Sequence, residues 1–239
     1  MARRGGWARG ILGTVVVLLL ALPGAGAAVE VSYGASLLSH YVWRGIALTD
    51  DPVFQPSVRI AHDRGISFEV WGNVDLGDDN DTPGEITEAR LVLDYRRRVG
   101  AVEIGAGVIE YLFPNTPFPG TREVYLDLGV DALVAPRLEI HYDLDEIEGA
   151  YLRLALAYRR DLRPRWSAAL EASAGWADAA FAIGRQAGLH DAGLELQIER
   201  SAGPLELCLL AGWTDTLNPN VLPEQPASFW TGLSVALRL

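Results

Sequence analysis

From residue 29 onward the chain alternates apolar and polar positions in stretches of about ten residues, each closed by a turn. Period two is the strand signature, because successive side chains leave a strand on opposite faces. The first stretch sets Val29, Val31, Tyr33, Ala35 and Leu37 against Glu30, Ser32, Gly34 and Ser36. The sixth sets Val124, Leu126, Leu128 and Val130 against Glu123, Tyr125, Asp127 and Asp131. The pattern predicts twelve strands, near 29–40, 53–63, 65–76, 86–97, 99–109, 121–133, 137–144, 149–159, 166–176, 188–200, 204–214 and 229–239. In 166–176, Trp166, Leu170, Ser173 and Ala177 would also suit a helix face; the neighbouring strands decide for a strand.

The connections are sorted by length. Tight links follow the even-numbered strands, as at Asp63-Arg64-Gly65 and Ser201-Ala202-Gly203. Mostly longer ones follow the odd-numbered strands, at 41–52, 77–85, 110–120, 145–148, 177–187 and 215–228. Short turns on one side, long loops on the other and an even strand count predict an all-β fold, a transmembrane up-and-down antiparallel β-barrel of 12 strands. Outward aromatics fall where girdles belong: Tyr95, Tyr158 and Trp166 beside tight turns, Tyr142, Trp176, Trp213 and Phe229 beside long loops. A soluble exported barrel would alternate too; loop sorting and girdles favour the membrane version.

The first residues set the compartment. Arg3, Arg4 and Arg9, the apolar run Ile11 to Leu22 and the small residues Ala25-Gly26-Ala27 predict a signal peptide at 1–27, with the barrel domain at 28–239. Removing three arginines takes the net charge from −11 to −14, a poor balance for a nucleic-acid partner. Every basic residue is Arg. Cys208 is the sole cysteine, so no internal disulfide staples the fold; it reads as a small packed residue.

The inward face carries the candidate chemistry. Acids expected there are Glu30, Glu69, Asp75, Glu88, Asp94, Glu103, Glu123, Asp127, Asp131, Glu139, Asp143, Glu171, Asp191, Glu195, Glu199 and Glu206; the arginines are Arg59, Arg90, Arg96, Arg153 and Arg238. That excess focuses a negative potential and predicts a narrow, cation-preferring pore for small solutes, with Glu69, Asp75, Glu88, Arg90, Asp94, Glu103, Glu123, Asp127, Asp131, Glu139, Asp143, Arg153, Glu171, Glu195, Glu206 and Arg238 as selectivity candidates. The alternative is a salt-bridged polar core that plugs the barrel. Small inward residues in the fifth, eighth, ninth, eleventh and twelfth strands, such as Gly105, Ala155, Gly175, Gly212 and Ser234, would leave space along one side.

The 110–120 loop, with Phe113 and Phe118, is either a constriction or a rim loop with aromatic contacts. Arg44 is either a selectivity residue at the mouth or a lock for its own loop, paired with an acid such as Asp50. Asp78, Asp79, Asp81 and Glu85 crowd one outer loop, and Asp145, Glu146 and Glu148 another; they read as solvated acids, with Ca²⁺ or Mg²⁺ bridging to lipopolysaccharide as the alternative. No metal or cofactor is expected, and no catalytic residue. A barrel hydrolase needs a nucleophile and base together on the outward face, and of the histidines only His62 and His190 are predicted outward. His40 and His141 point inward.

Ser39-His40-Tyr41-Val42-Trp43-Arg44-Gly45-Ile46, then Gln55-Pro56-Ser57 and Trp71-Gly72-Asn73-Val74-Asp75-Leu76, resemble the TorF-type porin family of proteobacterial outer-membrane proteins. The resemblance covers roughly 29–76. It implies a barrel and a porin role, but no particular substrate. A barrel of this kind would meet outer-membrane lipid and lipopolysaccharide, and the assembly machinery through its C-terminal strand. The last residue is Leu239, where such proteins usually carry an aromatic.

Overall fold

A computed structural model describes residues 29–239; the signal peptide expected at 1–27 lies outside the described residues. The strands are β1 (Val29–Leu38), β2 (Tyr41–Trp43), β3 (Ile46–Thr49), β4 (Val53–His62), β5 (Ile66–Asp75), β6 (Ile86–Val99), β7 (Val102–Leu112), β8 (Thr121–Val130), β9 (Ala135–Asp143), β10 (Ala150–Arg163), β11 (Trp166–Ala177), β12 (Gly188–Ala202), β13 (Leu205–Thr216) and β14 (Ser228–Arg238). All but β2 and β3 join one closed antiparallel barrel of twelve strands, in which each strand pairs with its sequence neighbours and β14 pairs with β1. Closure removes every open edge, so no strand of the barrel is left with unpaired backbone groups facing lipid.

The alternation does what it predicts. Leu37, Phe54, Val70, Leu93, Leu126, Leu154, Leu170, Leu194, Leu209 and Leu233 all present exposed side chains on the outer face. So continuous an apolar surface would be untenable in water and fits a lipid band. Tyr95 and Tyr158 lie on it toward the tight turns, Tyr142, Trp176 and Phe229 toward the long loops. These are the two expected girdles.

The long-loop end has its own small core, in which Tyr151, Ala177, Phe181, Ala182 and Val221 pack together with Trp43 and Ile147 against them. Two carboxylates shape the loops there. Asp143 accepts from the Thr121 hydroxyl and from the backbone N–H groups of Asp145, Glu146 and Ile147. Asp178 does the same for the N–H groups of Ala150, Ala180 and Phe181.

One facing differs from the alternation. The alternation places His190 outward, yet it is fully buried. Across β11 and β12 the register runs from Ala174↔Ala192 to Trp176↔Leu189, so His190 and Asp191 together oppose Gly175. This bulge inserts one residue and turns the phase over. Leu189 takes the outward position, 55% exposed, and the His190 ring packs edge-on to Tyr151 and Phe181. His62 is buried as well, with Nδ1 beside the Asp63 carboxylate and accepting from the Arg64 N–H.

Candidate pore and its constriction

The loop between β1 and β4 does not stay at the rim. Its β2–β3 hairpin turns at Arg44-Gly45, where both residues have positive φ, 49° and 78°, and Trp43 pairs with Ile46. Two central residues of positive φ are what a tight type I′ hairpin turn requires. Near the hairpin's base, the Tyr41 hydroxyl donates to Glu88 at 2.9 Å and meets Arg90, both on β6. Burial, above all, pushes the Tyr41 hydroxyl well above the ordinary tyrosine range, so it stays a donor.

At the tip, Arg44 donates two hydrogen bonds to Glu123 on β8, at 2.8 and 2.7 Å. Its guanidinium lies over the rings of Trp43, Tyr151 and Phe181 at 4.5, 4.9 and 5.3 Å. Gly45 comes up against Asp191 on β12, where an added Cβ would collide with the carboxylate side chain. Since β1 and β4 are neighbours and β9 and β10 lie opposite them in the ring, a hairpin reaching β8, β10 and β12 crosses the lumen.

Arg44 is therefore a lumen group whose carboxylate partner is Glu123, not Asp50. Asp50 instead gives its N–H to Asp79, and Asp79 gives its N–H to Asp51, tying the first long loop to the second. The 110–120 segment stays at the rim. Phe118 is 67% exposed, its ring edge-on to Phe113, which stacks on Tyr111. Asn115 ties the segment to the Ile86 carbonyl.

Below the hairpin a belt of ion pairs lines most of the wall. Arg59 sits 3.8 Å from both Glu69 and Asp94. Arg96 bridges Asp94, Glu103 and Asp127 at 3.6, 2.8 and 2.7 Å. Arg137 pairs with Asp127 and reaches Glu139 at 3.6 Å, and Arg153 pairs with Glu171 and reaches Glu139 at 3.7 Å. The belt thus runs from β4 to β11 without a break.

The remaining sequence candidates fall elsewhere. Asp75 is buried among Asn73, Asn80, Thr82 and Thr87, all of which donate to it. Asp143 is spent on its loop, as above. Asp131, its side chain 69% exposed, pairs with Arg98 beside a tight turn. Glu206 and Arg238 pair at 2.7 Å toward the same end. Glu195 meets the Gln197 amide at 2.6 Å. Arg98, Arg137 and Arg159 share the inward phase with Arg96, Glu139 and Arg153, and Arg159 pairs with Glu199. With Arg44, they raise the inward arginines from five to nine.

The opposite wall, β12 to β14 and β1, is thin. Gly193, Ser234, Gly34 and Ser36 face inward there, as do Gly212 and Gly232, which Trp230 and Leu38 cover, and Cys208 joins them, opposite Glu199 and Ser234 in register. Space follows the small side chains. A neck of about 140 Å³ lies under the hairpin tip between Arg44, Arg153, Glu171, Asp191 and Trp230. Two larger cavities lie farther down, about 390 Å³ beside Gly34, Ser57, Cys208 and Ser234 and about 460 Å³ beside Ala157, Arg159, Glu171 and Gln197.

Among the described residues, no group of His, Cys, Asp and Glu is arranged to hold a metal ion, the acidic outer loops included.

A closed barrel of this form, with a lipid-facing apolar band and a loop laid across its bore, is an outer-membrane β-barrel. Residues 23–137 match the model of a family described as bacterial proteins of unknown function (Gcw_chp). No curated protein matches the chain in sequence. In structure it is similar to the NanC porin, with a TM-score of 0.55 and 10% identity over 89% of this chain and 100% of that one. It is also similar to an outer membrane channel from Pseudomonas putida F1, with a TM-score of 0.51 and 14% identity over 92% of this chain and 97% of that one. At such identities the likeness is one of fold.

Proposed function

We propose that the chain is a passive outer-membrane channel of the TorF porin type, admitting small polar or cationic solutes past the β2–β3 hairpin. The observation that carries this reading is the set of three cavities inside the barrel: the neck under Arg44, a larger space along the thin wall, and another beside β9 to β12. Side chains fill an eight-stranded barrel, whereas twelve strands leave room wherever the inward residues are small. Solutes would pass off-axis, beside the ion-pair belt. Inward acids still outnumber inward arginines, so the reading includes a weak preference for cations.

The role is non-catalytic. Both histidines expected on the lipid face, His62 and His190, are buried. The barrel's surroundings would be lipid and lipopolysaccharide, reached by way of the assembly machinery acting on β14. The continuity of the ion-pair belt favours a second reading, a closed structural or adhesive barrel.

Planar bilayers separate the two. The folded protein, recognised by faster migration unboiled than boiled, is expected to give small conductance steps and a reversal potential shifted toward K⁺ in a KCl gradient. Folded protein that never conducts would overturn the channel and leave the closed barrel.

A further inference from the structure

Above the hairpin lies a cavity of a different character. It encloses about 420 Å³ between Trp43, Leu48, Tyr111, Phe113, Phe118 and Ile147, within the roughly 300–1,000 Å³ typical of small-molecule sites. It sits among the extracellular loops, inside the rim and away from the lipid band, yet Leu48 and Phe118 stand 39% and 67% exposed. Apolar side chains gathered around a cleft at a watery mouth mark a surface made for a ligand.

The carboxylates around the cavity say which ligand. Glu88 is taken by Tyr41 and Arg90, Glu123 by Arg44 and Tyr111, and Asp143 by Thr121 and three backbone N–H groups. Glu146 also lines the cavity. It lends its N–H to Asp143, but no other described residue pairs with its carboxylate. Asp145 and Glu148 flank it in the same loop. The cavity therefore offers aromatic walls and one unspent negative charge. An anion would be repelled, and a neutral apolar body would leave Glu146 idle.

We propose that this cavity binds a small amine with an aromatic or otherwise apolar body, its ammonium at Glu146 and its body between Trp43, Phe113 and Phe118. The site is independent of whether the barrel conducts.

Calorimetric titration of the full chain in lipid nanodiscs, with empty nanodiscs subtracted, tests it using three probes of one shape: 1-naphthylmethylamine, 1-naphthalenemethanol and 1-naphthoate. The amine is expected to bind about threefold tighter than the alcohol, as one solvent-accessible ion pair allows, with the carboxylate weakest. Glu146→Gln should erase the amine's advantage and leave the alcohol unchanged, and Phe118→Ser should weaken both. Both residues are exposed, so neither change threatens the barrel, and heat-modifiable migration verifies that. Equal binding of amine and alcohol by the unaltered chain, a bare apolar cleft, would overturn the proposal. So would the absence of saturable amine binding, as when a second copy of the chain covers the cleft.

Discussion

Trypsin cuts after arginine, and Arg44 sits at the tip of the hairpin with its side chain only 8% exposed. Cleavage of the Arg44–Gly45 bond therefore requires the hairpin to leave the lumen, and its rate follows the population of that open state when reclosing outpaces cutting. Glu123→Gln is the informative change. The wild-type carboxylate accepts two charge-assisted hydrogen bonds from Arg44, at 2.8 and 2.7 Å, and a third from Tyr111 at 3.1 Å. Gln keeps one acceptor oxygen, loses the charge and turns an NH₂ toward the guanidinium. Hydrogen bonds to charged groups contribute about 1.5–3 kcal/mol each. A loss of about 2 kcal/mol from the closed state raises the open population about thirtyfold. The assay is limited trypsinolysis of the folded protein in micelles, read by mass spectrometry, with cleavage at exposed Arg185 in an outer loop as internal standard. A thirtyfold faster cut at Arg44, with Arg185 unchanged, is expected. An unchanged ratio of the two cuts would refute the idea that Glu123 holds the hairpin across the bore.

Two further outcomes follow from the same geometry. Cys208 faces the lumen on the thin wall, so a charged methanethiosulfonate reagent should label it in folded protein and lower the conductance; full labelling with unaltered conductance would place the solute route elsewhere. Gly45→Ala puts a Cβ into Asp191 at a φ of 78°, a strain of about 1–2 kcal/mol. It should speed the Arg44 cut several-fold while leaving heat-modifiable migration intact, because the barrel strands do not depend on the turn.

The barrel was legible because closure in lipid obliges every strand to alternate, and obliges turns and loops to sort by side. What escaped has local causes. The hairpin at 41–49 falls in a segment whose length alone predicts a long loop, and its turn carries Arg-Gly where Asn-Gly or Asp-Gly would announce a hairpin. Arg137 and Arg159 stand at the predicted ends of their strands, and Arg98 in a predicted turn, where facing is least fixed; the strand phase places the first two inward, and one residue more places Arg98. His190 could not be placed that way, because a bulge shows no sign in composition and inverts every facing beyond it. The pairing of lumen acids is the least legible feature. Parity says which residues share a face, but not which arginine reaches which carboxylate.

The seam between β1 and β14 has a consequence for assembly. Ser36 and Ser234 hydrogen-bond across it at 2.7 Å, 198 residues apart in the chain. Every other barrel pairing joins sequence neighbours and can form as the meander grows, but this one must wait for the last strand and bears the loop-closure entropy of nearly the whole chain. Until then two bare edges persist, each able to recruit a strand from another molecule. Loss of β14 would thus leave a sticky, unsealed sheet in place of a smaller barrel, and the safety of the folding intermediate rests on whatever shelters β1 while it waits.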